Sequence, residues 1–510
     1  MFKLVFSFRF YTAIVIVFFN LSGCDFEQKV EKSAQETIIA QIGDKSISLN
    51  EFIRRAEYTI RPAYCRGENY IHKKIVLNSL IAEKLFAFEV ADDSLLQNQE
   101  EFNDYLIGRQ EQAMRQMYYF KEAHEKTTVD SSALKKAFAV AGRDYEISYL
   151  AFNNKKSAEE AAKTLVSPNS DLAATAEQLF GSPVVKQRKV SINPQENDNV
   201  IEALFSDNLN KGQIIGPVKV AKDNHIFMQI DGWIDHKVIT EKTIQQRYAD
   251  TKERLHTKKA MDAYEKHVGA LMKNKKMEFS RPVFMKVAEL VKPLYLRSID
   301  EKKETFNARL WEGGAPDLKL DELGAEMDKL VEKPLFQVDG VTWTVGDFEK
   351  YMRKHPLVFR KRKLSEKTFA SEFRLAIADM VRDYYITKDA YAKGYDKLPE
   401  VRRNVGMWKD NLYHLYYLNS LLKSSGKMAE YQANPLNVIE EDLNSIVEKL
   451  QKKYSGKIQI DTDSFESVNL SRIDLMAYQK NVPFPILVPH FPQITTYNRL
   501  DYGSKMGDDE

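Results

Sequence analysis

Residues 39–52, IAQIGDKSISLNEF, return 296 positions later as LFQVDGVTWTVGDF at 335–348. Gln41 meets Gln337, Ile42 meets Val338 and Phe52 meets Phe348. Each copy reads as a short strand, a glycine-containing turn, a second strand and a helix start, with Asn50 and Gly346 at the expected cap positions. The same offset pairs Ile81-Ala82-Glu83 with Ile377-Ala378-Asp379. A chain that repeats a unit this small must bury the unit against something else, so the rest of each copy has to be found.

A second match supplies it. VGALMKNKKMEFSRPVF (268–284) resembles VEKLQKKYSGKIQIDTDSF (447–465). Both read as the end of an amphipathic helix, a basic turn, a short strand and a phenylalanine. In the later one Leu436, Ile439, Leu443, Ile446, Val447, Leu450 and Tyr454 share one helical face. Each copy thus has an N-terminal and a C-terminal half. Phe120 and Val268 are 148 positions apart, whereas their counterparts Leu418 and Val447 are 29 apart; 148 − 29 = 119 residues are extra in copy one. That is the length of a small inserted domain.

The chain opens with Lys3 and Arg9 ahead of an apolar run from Tyr11 to Phe19. The run is short of the roughly 20 apolar residues that cross a membrane, and it reads as a secretory signal. It ends in Leu21-Ser22-Gly23-Cys24, which resembles the bacterial lipobox. That resemblance implies removal of residues 1–23 and lipidation of Cys24. Cys65 is then the one remaining thiol, so no intrachain disulfide is expected. Lys plus Arg total 75 against 73 Asp plus Glu, with no basic excess to suggest nucleic acid. The sequence has no P-loop, dinucleotide fingerprint or paired-histidine motif, so the expectation is no cofactor and no metal.

Residues 140–235 change character. Tyr145–Phe152 alternates like a strand, Ser157-Ala158-Glu159-Glu160 has capping-box spacing, and a helix is expected near Leu172–Leu179. A short helix, a turn at Gly212, an edge at Pro217 and a strand over Ile226–Ile230 follow. The run from Phe205 through Leu209, Gly212, Ile214, Gly216, Pro217 and Val218, and Asn224-His225-Ile226-Phe227 after it, resemble the parvulin signature. With lipobox and flanking helices, the chain resembles the SurA/PrsA/PpiD group of extracytoplasmic foldases. The resemblance implies a mostly α fold with α+β parts: two SurA-like helical chaperone modules, the first carrying an inserted parvulin-like domain. It also implies a prolyl isomerase site, of which His225 alone matches a polar-floor position and is the catalytic candidate. The first-strand histidine is replaced near Ser148 or Tyr149, and GSPVVKQRKVSI (181–192) replaces the glycine-rich segment. Isomerase activity is therefore expected to be weak or lost. Tyr149, Ile201, Phe205 and Met228 are the expected peptide-binding residues. Ile201 and Phe205 share a helix face and suit either a proline slot or plain core.

RQMYYFKEA (115–123) and NLYHLYYLNSLL (411–422) suit either promiscuous client contact or buried seams between helices. The tail 481–503 carries Pro483, Pro485, Pro489 and Pro492 among large apolar residues, so it should be extended and docked, on its own domain or on a partner. The expected organisation is a signal (1–23), a linker (24–37), module one (38–139 and 236–290) around the insert (140–235), a helical linker (291–333), module two (334–426 and 427–480) and the tail (481–510). The expected function is that of a lipid-anchored periplasmic chaperone for unfolded outer-membrane or secreted proteins, on the outer membrane, although Asp25 favours the inner membrane under one sorting rule. The rival expectation is a non-catalytic subunit of an outer-membrane assembly or secretion complex, reached through the tail.

Overall fold

The structure is a computed structural model; it describes residues 36–90, 96, 99–165, 170–183, 185–193, 195–221, 223–297, 324–361, 363–470 and 483–506. The expected signal, Cys24 and most of the two linkers lie outside the described residues. The fold is mostly helical with small, largely antiparallel sheets. None of the described helices is long and apolar enough to cross a membrane.

Both copies of the repeat form the expected strand pair and helix. β1 (Ile38–Ile42) and β2 (Lys45–Ser48) lead into α1 (Leu49–Glu57). β8 (Pro334–Val338) and β9 (Val341–Thr344) lead into α10 (Val345–Lys354). Asp339 and Gly340 both have positive φ, as a two-residue hairpin with the native strand twist requires. The helix caps are Ser48 and Thr344, two residues before the expected Asn50 and Gly346. A cap needs extended backbone, which the last strand residue already has. The Ser48 hydroxyl accepts from Glu51 N–H at 3.0 Å, and Thr344 and Asp347 form a reciprocal capping box.

The halves close differently from the expectation. β1 pairs with β10 (Ile458–Ile460), Gln41 opposite Gln459, and β7 (Met277–Phe279) pairs with β8, Glu278 opposite Gln337. The N-terminal half of copy one thus folds with the C-terminal half of copy two, and the two inner halves fold with each other. The outer module's core joins Ile39, Ile42 and Phe52 to Val447, Ile458 and Phe465, whereas the inner module's joins Phe284, Val287 and Val291 to Phe336, Phe348 and Phe373. Similar halves make either closure conceivable, and loop-closure entropy rises only with the logarithm of length, so length does not forbid the nested one.

One position shows what discriminates. Lys73, on α2 (Tyr70–Phe88), is buried, and its ammonium donates to the carbonyls of Phe465, Glu466 and Val468 at 3.0, 3.0 and 2.9 Å. Those carbonyls end the short helix α14 (Thr462–Glu466). At the repeat offset, 73 + 296 = 369, α11 (Glu366–Ala392) carries Phe369, which lies 6.0 Å from Tyr295 of the longer α9 (Arg281–Leu296). A cation fits where the partner helix stops and exposes carbonyls; a phenylalanine fits where it continues. Exchange would press Lys73 on an apolar helix face with no acceptor. Lys73→Met should lower the unfolding free energy by about 2–4 kcal/mol in urea titrations, because it orphans buried carbonyls; a loss below about 0.5 kcal/mol would mean that they are hydrated.

Charge is also buried between α2 and α12 (Pro399–Ser424). Arg55 and Glu83 form two 2.7 Å hydrogen bonds, and Asn411 donates to Glu83 at 3.0 Å. Lys84 bridges Glu51 and Asp410, each at 3.1 Å. Burial pushes the Glu83 carboxyl up, but the Arg55 charge outweighs it and leaves Glu83 below the usual range.

The tail is docked on its own chain. Phe491 and Ile494 join the outer core, the His490 carbonyl accepts from Arg55 at 3.1 Å, and the Tyr497 carbonyl accepts from Asn78 at 2.8 Å. β11 (Ser504–Lys505) adds to β10 in parallel. Of the two expected ways to dock, the tail takes its own chain: residues from Phe491 to Tyr502 pack into the outer module.

Candidate peptide-binding site

The inserted domain runs β3 (Arg143–Phe152), α5 (Lys155–Leu165), α6 (Leu172–Phe180), β4 (Lys186–Val190), α7 (Asp198–Phe205), β5 (Ile214–Lys219), β6 (His225–Asp235). The sheet order is β4-β3-β6-β5, all antiparallel. α5 starts at Asn154, whose side chain caps Ser157 N–H at 2.7 Å, rather than at the expected Ser157 box. Arg143 pairs with Asp235, and His236 N–H donates to Gly142 O at 2.8 Å, so the chain enters and leaves at one point.

The register divides the expected site. Tyr145, Ile147, Ile226, Met228 and Ile230 pack on Ile201 and Phe205 of α7, whereas Leu150, Phe152 and Phe227 pack on α5 and α6. His225 lies opposite Phe152 and three residues before Met228 on one strand. Strand alternation therefore sets His225 and Met228 on opposite faces. Ile201, Phe205 and Met228 are core, Tyr149 is half-buried with the Arg188 guanidinium 5.7 Å from its ring, and His225 is 8% exposed with Nδ1 unpartnered. Tyr149, Ile201, Phe205 and Met228 meet in one cluster, and His225 faces away from it. An odd spacing on a strand was enough to say so.

Where a floor histidine was expected, Ser148 donates to Asp231 at 2.7 Å and accepts from Gln187 at 3.3 Å. Sequence reading missed Asp231 and Gln187, which the pairing of β3 with β4 and β6 brings in. The serine proton is held by a carboxylate. Such a set can hydrogen-bond a peptide backbone. Both sheet edges are blunted against strand addition, by Lys186 and Lys189 on β4 and by Pro217 on β5.

Of the two readings of the aromatic segments, client contact or buried seam, the seam holds for several of their residues. Tyr118 is buried and donates to Asp389 at 2.6 Å; Tyr413, Leu418 and Leu422 are buried too. A groove lies beside them, on α8 (Glu241–Leu271) and the residue after it, lined by two half-buried methionines and by Tyr264 and Val268 of the buried core. Met261, Tyr264, Val268 and Met272 face Arg382 and Pro483 across a groove of about 390 Å³. Tyr264 meets Phe484 edge-on at 6.2 Å, and Arg382 is held by Asp379 and Asp383 at 3.0 and 2.8 Å. Two flexible methionines and a tyrosine make an adaptable apolar floor, and the guanidinium sits at its side.

No protein family and no curated protein matches the chain. Among solved structures it is similar to the foldase protein PrsA from Streptococcus pneumoniae strain Canada MDR_19A, at 13% identity over 44% of this chain and 91% of that one, with a TM-score of 0.17. A score this low does not establish a shared fold.

Proposed function

We propose that the protein is a lipid-anchored extracytoplasmic holdase of the parvulin foldase type, which binds unfolded outer-membrane or secreted proteins through the groove on α8 and carries an isomerase-like domain without useful catalysis. The groove carries the reading: its methionine and tyrosine lining suits apolar side chains of varied shape. The lipobox and the parvulin-like motifs of the sequence support the compartment and the family. The rival reading as an assembly subunit drew on the lost catalytic floor and on the apolar tail, of which Phe491 and Ile494 lie in the outer module's core.

The test is suppression of aggregation of a denatured outer-membrane protein diluted into buffer. The chain should suppress it near equimolar ratio, and Met261→Glu with Met272→Glu should weaken suppression at least fivefold with unchanged circular dichroism. No suppression by the parent chain would remove the holdase reading. Cys24→Ser should move the protein from the membrane pellet to the soluble fraction; retention after a high-salt wash would refute the anchor.

Residues 140–235 should accelerate isomerisation of a proline tetrapeptide little or not at all in a protease-coupled assay. His225→Ala should leave that rate unchanged, since His225 lies apart from the other expected residues. A substantial rate lost on His225→Ala would restore the catalytic assignment.

A further inference from the structure

The helix α3 (Glu100–Tyr119) ends in a π turn over Phe120–His124, closed by Glu125 N–H to Phe120 O at 2.8 Å. The turn stacks His124 on Phe120 and brings its ring centroid within 4.3 Å of that of His256 on α8. Glu253 lies one helical turn before His256, so both face the same way. One potential ligand atom from each of His124, Glu253 and His256 lies within 4.8 Å of the others. Ligand atoms around a tetrahedral zinc ion are about 3.4 Å apart, given bonds of about 2.0–2.1 Å, so small side-chain rotations close the difference.

The second observation concerns His256 itself. Its Nε2 lies 3.2 Å from the Thr127 carbonyl, which can only accept, so Nε2 carries the proton. Nδ1 is then a bare lone pair, and it is buried with no hydrogen-bond partner. A histidine whose outer N–H is fixed by a backbone carbonyl and whose inner nitrogen is left open is the usual arrangement of a metal ligand.

We propose that His124, Glu253 and His256 form a three-ligand site for a divalent transition-metal ion of the zinc class, with a fourth position open to water. Two imidazoles and a carboxylate suit such an ion and not magnesium or calcium, which take all-oxygen sets. The site would staple the end of α3 to α8, the helix that follows the inserted domain. Lys259 already ties the neighbouring Thr128 carbonyl to α8 at 3.1 Å. A bound ion would therefore stiffen the contact between the end of α3 and α8. The proposal does not depend on the holdase reading.

The test uses the full mature chain in detergent, without a histidine tag and stripped with chelator. Zinc is titrated by calorimetry, and cobalt is followed by its visible absorption. One equivalent should bind with a micromolar or lower Kd. His124→Ala and His256→Ala should each weaken binding at least tenfold, and so should Glu253→Gln, whose exposed site leaves folding undisturbed. His236→Ala, an exposed histidine elsewhere, should change nothing. Absence of saturable binding, millimolar affinity, or one-equivalent binding that survives His256→Ala and Glu253→Gln would overturn the site.

Discussion

Glu83→Gln should lower the unfolding free energy by about 3–5 kcal/mol, because it leaves the Arg55 guanidinium buried without a counter-charge. Both groups are essentially inaccessible, and the two 2.7 Å bonds between them hold α1 to α2 at the centre of the outer module. The doubly apolar variant Arg55→Met with Glu83→Leu should recover most of that loss, since it removes both desolvation penalties together. A double variant no more stable than the single one would mean that packing around the pair matters more than its charges. The same cluster sets a pH dependence. Burial, together with Arg55, holds the imidazole of His414 down to about 4 despite the pull of Glu83, and burial holds His355 of the inner module down to about 3, from an ordinary 6.5. Each is neutral in the fold and takes a proton more readily when unfolded. Their contribution is whole above pH 6.5 and is lost as pH falls toward the folded values. At pH 5 each should cost about 2 kcal/mol relative to pH 7. His414→Gln should remove its share of the difference in Tm between pH 7 and pH 5; an unchanged difference would show that His414 already carries its proton in the fold.

Ending the chain at Val482 should unfold the outer module while the inner one survives. The loss takes Phe491 and Ile494 out of a closed core, where one large side chain is worth about 3–5 kcal/mol. It also strips the Asn78 amide of the Tyr497 carbonyl and Tyr431 of the Gln493 carbonyl, and it frees Asn444 from Thr495 and Thr496. Orphaned buried groups cost more than the bonds they made. Limited proteolysis should then cut within 38–88 and 428–465 while 277–297 and 334–361 resist. A truncated chain that melts like the parent would mean that the tail only rests on the surface.

Much of the local structure was legible because it follows from period and turn chemistry. The alternation from Tyr145 to Phe152 is a buried central strand, the Asp339-Gly340 turn joins two strands, and the face running from Ile439 to Leu450 packs inward. What was not legible depends on which distant surfaces meet. Sequence similarity between halves is blind to which half closes with which; that choice rests on details such as Lys73 against Phe369, whose meaning appears only beside the ends of α14 and α9. Proline-rich apolar sequence in 483–503 required docking, but could not say on what. The parting of His225 from Met228 was legible, since they differ by an odd number on one strand. The metal candidate had a weak trace in Glu253-x-x-His256, which gains meaning only when the π turn brings His124 across from 129 residues earlier (253 − 124 = 129).

The exchange of halves underlies these effects, and cross-linking tests it most directly. In a Cys65→Ala chain that begins after Cys24, cysteine pairs are placed at positions 41 and 459, 278 and 337, 41 and 278, or 337 and 459. Directly opposed residues on antiparallel strands lie at about 4.5–5.5 Å between Cα atoms, within disulfide reach. Oxidation should join 41 to 459 and 278 to 337 within single chains, as Gln41 faces Gln459 and Glu278 faces Gln337. The other two pairs should stay reduced. Efficient intrachain closure of 41 with 278 and of 337 with 459, with none for 41 with 459, would show that each copy folds with its own halves and would contradict the nested architecture.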